Sequence, residues 1–116
     1  MPDSMRENLT SGGWKELDFR PFRDGVTIHW IRPFDDDQPG VALLKYDAGA
    51  SVPLHRHEGL ETIFVLDGSQ SDEAGDYGTG SFVVNAAGTE HSVWSETGCV
   101  VLIQWDRPVT ILEGDL

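Results

Sequence analysis

The sequence predicts an all-β domain, an antiparallel sandwich or barrel, and three observations predict it. Six short runs rich in β-branched and aromatic residues recur along the chain, and glycine- or proline-containing turn signals separate them. No segment sustains the 3.6-residue apolar period of a helix. At 116 residues the chain has the size of one domain, so a single core is expected over residues 1–116.

The elements follow in order. Ser4 and Glu7 have the spacing of a capping box and could start one helical turn, although no helical run follows. Between Thr10 and Arg23 the segment is aromatic and mixed, with Trp14, Leu17, Phe19 and Phe22 available to pack over a barrel edge or a neighbouring subunit. Residues 1–23 are therefore expected as an N-terminal arm or edge cover. The run "GVTIHWIR" follows the Asp24-Gly25 turn and sets Val26, Ile28 and Trp30 on one face. His29 falls on the other, at a surface or inter-subunit position.

"FDDDQPG" reads as a solvated hairpin connection, after which "VALLKYD" follows Pro39-Gly40. "ETIFVLD" stops at Gly68, and "SDEAGDYGTG" reads as a second solvated connection that lacks the alternating oxygen ligands of a calcium loop. "GSFVVN", "HSVWS" and "CVVLIQW" complete the strands. The one cysteine, Cys99, has no partner within the chain for a disulfide and heads an apolar run, where it serves as a small buried side chain.

Charge narrows the partners. Twenty acidic residues against eight basic ones give −12, which repels phosphate backbones and anionic lipid, so neither nucleic acid nor membrane binding is expected. The same field attracts cations. No basic start followed by an apolar stretch opens the chain, and no apolar run approaches the roughly 20 residues of a membrane span, so the cytoplasm is the expected compartment.

Chemistry concentrates in "LHRHEGLETIFVLDGS", residues 54–69. Residues two apart on a strand share a face, so His55 and His57 can grip one ion while Arg56 points away. Glu58-Gly59-Leu60 reads as a turn that returns Glu61 toward the same centre, and His91, after the turn-like "NAAGTE", is placed to come across the barrel. Imidazoles with a carboxylate suit Fe(II), Mn(II), Ni(II), Cu(II) or Zn(II), and ligand type does not choose among them.

These residues resemble the cupin motifs. Gly49, His55, His57, Glu61 and Gly68 match the first motif fully; Gly80, Gly88 and His91 match the second, in which Ala86 and Ser95 replace proline and asparagine. The resemblance covers residues 40–106, the expected motif-bearing barrel, and "VLDGSQSDEAGDYGTGSF" is most similar to the ChrR-like cupins. It implies a cupin-type double-stranded β-helix, or jelly-roll barrel, and one divalent metal ion per chain, zinc, iron, manganese or nickel, on His55, His57, Glu61 and His91. It also implies a small-molecule ligand or substrate and a homodimer.

For function the resemblance implies a metalloenzyme of dioxygenase type or, alternatively, a non-catalytic zinc-binding sensor or regulatory cupin. No catalytic residue is assigned, although Glu61 could stay a ligand or act as a base. Sigma-factor inhibition, known for the anti-sigma members, is not carried over, because their separate zinc-binding domain has no counterpart in a chain with one cysteine. Tyr46 and Gln104 are expected to line the pocket.

Overall fold

A computed structural model describes residues 1–112. Two short 3-10 segments, Leu9–Ser11 and Gly13–Glu16, precede ten strands: β1 (Arg20–Arg23), β2 (Val26–Arg32), β3 (Gly40–Tyr46), β4 (Ser51–Arg56), β5 (Glu61–Asp72), β6 (Gly75–Gly78), β7 (Phe82–Asn85), β8 (Glu90–Trp94), β9 (Cys99–Trp105) and β10 (Thr110–Ile111). Their order is β1-β2-β3-β9-β5-β8-β4-β10, with β6 and β7 also on β5. Every strand pairing is antiparallel. This is the curled all-β jelly roll that the sequence predicts.

Strand β5 belongs to both layers. Its first half pairs with β9 and β7, and its second half with β6 and β8. Between Val65 and Asp67 the register against β9 slips by one residue, a β-bulge that bends the strand from one layer into the other. Gly68 follows the bulge at φ 77°, where a Cβ would collide with the Gly98 carbonyl. Glycine alone fits that crossing.

The lumen between the layers is filled by Val26, Ile28, Leu44, Val65, Val101 and Ile103 with their neighbours. A second apolar cluster lies outside the barrel, where Leu43, Leu66 and Val100 are covered by Leu9, Trp14, Leu17 and Phe19. Parts of β3 and β9 are thus apolar on both faces, which is why "VALL" and "CVVL" show no alternation. Each fully buried aliphatic side chain in these clusters contributes about 1.5–3 kcal/mol.

Several expectations change. Ser4 and Glu7 start no helical turn. Ser4 Oγ instead accepts from Arg6 Nη1, and the first turn begins after Asn8, itself left-handed at φ 58°. Without an apolar face to pack, a capping pattern does not nucleate a helix. Within the expected cover, Arg20–Arg23 forms an edge strand that tolerates Pro21. "SDEAGDYGTG" is mostly strand, because β5 runs on to Asp72 and only Glu73-Ala74 turn the chain into β6. Its polar residues bond one another: Ser71 Oγ donates to Asp76 at 2.6 Å and Tyr77 Oη to Asp72 at 2.7 Å. No helix among the described residues is long and apolar enough to cross a membrane.

Candidate metal centre

The fold brings the four expected residues to one end of the lumen. His55 on β4 lies directly across the ladder from His91 on β8, His57 follows the end of β4, and Glu61 opens β5. All four side chains are buried. Ring centroids are 4.7 Å apart for His55 and His91, 4.6 Å for His57 and His91, and 5.2 Å for His55 and His57. Potential ligand atoms of the three histidines lie within 4.8 Å of one another, so the trio could hold a metal ion.

Local structure fixes each ring. His57 is held by two backbone bonds to the turn before β8, its N–H donating to Thr89 O and its carbonyl accepting from Gly88 N–H. Each Nδ1 faces an acceptor: Pro53 O at 2.8 Å for His55, Thr89 Oγ1 at 2.9 Å for His57 and Asp72 Oδ2 at 3.0 Å for His91. The Thr89 hydroxyl spends its own proton on Ala86 O, so toward His57 it can only accept. The three Nδ1 atoms therefore carry the protons, leaving Nε2 of each ring as a lone-pair donor.

Those lone pairs are what a metal would satisfy. Among the described residues, Nε2 of His57 and of His91 is buried without a hydrogen-bond partner. Glu61 Oε1 approaches His57 Nε2 to 3.2 Å, yet the contact lacks the alignment of a hydrogen bond, so one acceptor faces another. Burying such atoms unpaired costs about 1–3 kcal/mol each, a cost that a cation between them removes. Asn85 Nδ2 donates to the same Glu61 oxygen at 3.0 Å and holds the carboxylate toward the histidines.

Burial pushes the His55 imidazole below its ordinary range, and the facing His91 and His57 add to that push. Burial alone would raise the Asp72 carboxyl, but hydrogen bonds from His91, Tyr77 and the Ala74 N–H outweigh it and hold the group below the usual carboxylate range. Tyr77, donating to Asp72, is pushed up to about 12.

One side of the centre opens onto a cavity of about 270 Å³, with His55, Glu61 and His91 in its wall. The rest is mainly apolar, including Trp30, Phe34 and Trp105, whose ring centroids lie 5.6–5.8 Å apart. Tyr46 and Gln70 supply polar groups, Gln70 Nε2 donating to Tyr46 Oη at 3.3 Å. Gln104, expected beside Tyr46, is absent from the wall: β9 turns Val101, Ile103 and Trp105 inward, and Gln104 Nε2 bonds Asp106 outside. His57 lies on the other side, in a smaller recess with Asp72, Thr89 and Asn85.

Sequence reading missed Asp72, Thr89 and Asn85. All three meet the centre only through strand pairing or the turn before β8. The acidic "DEAGDY" stretch held the one available signal, hidden by its loop-like composition.

The anti-sigma-E factor ChrR of Cereibacter sphaeroides is 36% identical over 69 residues, which are 58% of this chain and 32% of that protein. This chain therefore spans about a third of that relative's length. The crystal structure of Rhodobacter sphaeroides SigE in complex with the anti-sigma ChrR aligns with a TM-score of 0.71 at 28% identity, covering 79% of this chain and 51% of that one. An acetylacetone dioxygenase from Acinetobacter johnsonii aligns with a TM-score of 0.76 at 16% identity, covering 84% and 73%, a likeness of fold. The profile of the ChrR cupin-like domain matches residues 11–107, and the chain belongs to that family.

Proposed function

We propose that the protein is a metal-dependent enzyme of dioxygenase type acting on a small organic molecule, with His55, His57, Glu61 and His91 as ligands of one divalent ion. The observation that carries this reading is the cavity: a largely apolar chamber meets the donor cluster on the His55, Glu61 and His91 side. A purely structural ion needs no such chamber. When bound, an iron, manganese or nickel ion supplies Lewis-acid or redox chemistry toward substrate oxygens and dioxygen.

The chain's own residues perform the rest. Pro53, Thr89 and Asp72 orient the three imidazoles. Trp30, Phe34 and Trp105 exclude water and pack against an apolar body, while Tyr46 and Gln70 offer hydrogen bonds to a polar group on the substrate. Asn85 holds Glu61 at the edge of the cavity, where the carboxylate either stays on the ion or takes a substrate proton. A homodimer in the cytoplasm belongs to the same reading, and the exposed apolar side chains of Phe22, Phe82 and Val84 offer surface for a second copy.

Oxygen consumption by apo-protein reloaded separately with Fe(II) and Zn(II), over a panel of small diketones and phenolic ketones, tests the proposal. Uptake should require both Fe(II) and substrate. Uptake independent of metal and substrate sinks it. The second reading, a zinc-binding sensor or regulatory cupin, is favoured by the 36% identity to an anti-sigma factor. Under that reading no metal supports uptake and Zn(II) binds tightest.

A further inference from the structure

The three histidines are not held alike. His55 and His57 donate their Nδ1–H to neutral acceptors, a backbone carbonyl and a hydroxyl, whereas His91 donates to a carboxylate, Asp72 Oδ2, at 3.0 Å. Asp72 is 8% exposed, and its other oxygen accepts from Tyr77 Oη at 2.7 Å and from Ala74 N–H at 2.8 Å. All the partners that hold it are formally neutral donors. The β5–β6 hairpin supplies every one of them except His91 itself.

We infer that Asp72 is the positioning residue of the centre: it locks His91 with Nε2 toward the ion and adds a second buried negative charge to that of Glu61. The inference rests on the proposed metal centre. Two buried carboxylates with three neutral imidazoles carry −2, which a divalent cation neutralises and a monovalent one leaves half uncompensated. A carboxylate behind an imidazole also makes its Nε2 a stronger donor than a carbonyl or hydroxyl does. Of the three imidazoles His91 would thus be the strongest donor to the ion, and Tyr77 and the Ala74 N–H would act on the ion through Asp72. Glu73, adjacent and also acidic, bonds Ser92 N–H and Oγ and makes no hydrogen bond to a histidine among the described residues.

The test is Co(II) binding to the full-length apo-protein, measured by competition with a chelator and by the visible absorption of the bound ion. Asp72→Asn keeps an acceptor for Nδ1–H but removes the charge. It should weaken Co(II) about 10- to 100-fold and shift the absorption bands. Glu73→Gln should stay within about twofold of wild type, since a charge that touches no ligand contributes little through solvent. Tyr77→Phe leaves Asp72 in place with one donor fewer, which alters both its hold and its basicity behind His91, and should change Co(II) affinity a few-fold and move the absorption bands.

Wild-type affinity and spectrum in Asp72→Asn overturn the inference, and so does a loss in Glu73→Gln equal to that in Asp72→Asn. Should Asp72→Asn fail to fold, Tyr77→Phe decides: an altered affinity or spectrum supports the role, and wild-type values for both overturn it. Failure of the wild-type protein to bind Co(II) removes the metal centre itself. Normal wild-type binding that is insensitive to Asp72 removes only this inference.

Discussion

Histidine occurs in two regions of this barrel, and their bonding differs. Beneath the N-terminal segment, on the outer face of β2, His29 has both nitrogens satisfied: Arg6 Nε donates to its Nε2 at 2.9 Å and its Nδ1–H donates to Asp18 O at 2.8 Å. The Phe19 ring lies 5.9 Å away, and the arrangement is complete as it stands. In the lumen His55, His57 and His91 each have one nitrogen tied and the other aimed inward. Packing alone explains the outer histidine. Among the described residues the Nε2 atoms of His57 and His91 stay buried without a partner, a gap that a metal ion could fill, and incomplete satisfaction marks a binding site better than burial does.

The comparison can be broken by substitution on either side. His57→Ala should reduce bound metal to below about a tenth of the wild-type content by elemental analysis, since a structured site seldom survives loss of a ligand. His29→Ala should leave it unchanged. Equal losses from the two would erase the distinction. Metal removal from the wild-type protein should lower stability by about 3–4 kcal/mol where the free ion had been 100–1,000 times its Kd. The melting temperature then falls by on the order of 10 °C, and calorimetry with and without chelator reads it.

Smaller effects sharpen the contrast. Trp14→Ala uncovers the outer cluster and should cost about 2 kcal/mol in urea unfolding while metal content holds. Burial pushes the Cys99 thiol up to about 11, above its unfolded value. The stability this thiol contributes is therefore fully present below roughly pH 8.5 and is lost as pH rises toward 11. Cys99→Ala should flatten that alkaline decline, and an unchanged slope in unfolding midpoint between pH 8 and pH 11 would refute the assignment.

That these four residues would gather at one place was legible because each lies at a fixed spacing within a local motif: His55 and His57 two apart, Glu61 beyond one turn, His91 after another. Asp72 was not, because its partner His91 is 19 residues away and the two meet only where the β5 register against β8 is set. Cavity residues divided on the same ground. Tyr46 was placed correctly, and Gln104 was not, because β9 is apolar on both faces over much of its length and gives no alternation from which to read its inward side. Edge strands β1 and β10, of four and two residues, are held by neighbours more than by their own composition. Strand runs and turns alone showed an antiparallel sandwich or barrel, and the resemblance to the cupin motifs chose the barrel.

Parity gives the bulge in β5 a further consequence. Glu61 and Asp72 are eleven residues apart, an odd number, so an unbroken strand would send them to opposite faces. The extra residue between Val65 and Asp67 reverses the count, and both carboxylates turn inward. A chain that folded without that irregularity would still make a sheet, but with one of its two acids facing water. An ion bound at this site would favour the correctly offset strand, since only that form presents both charges to it.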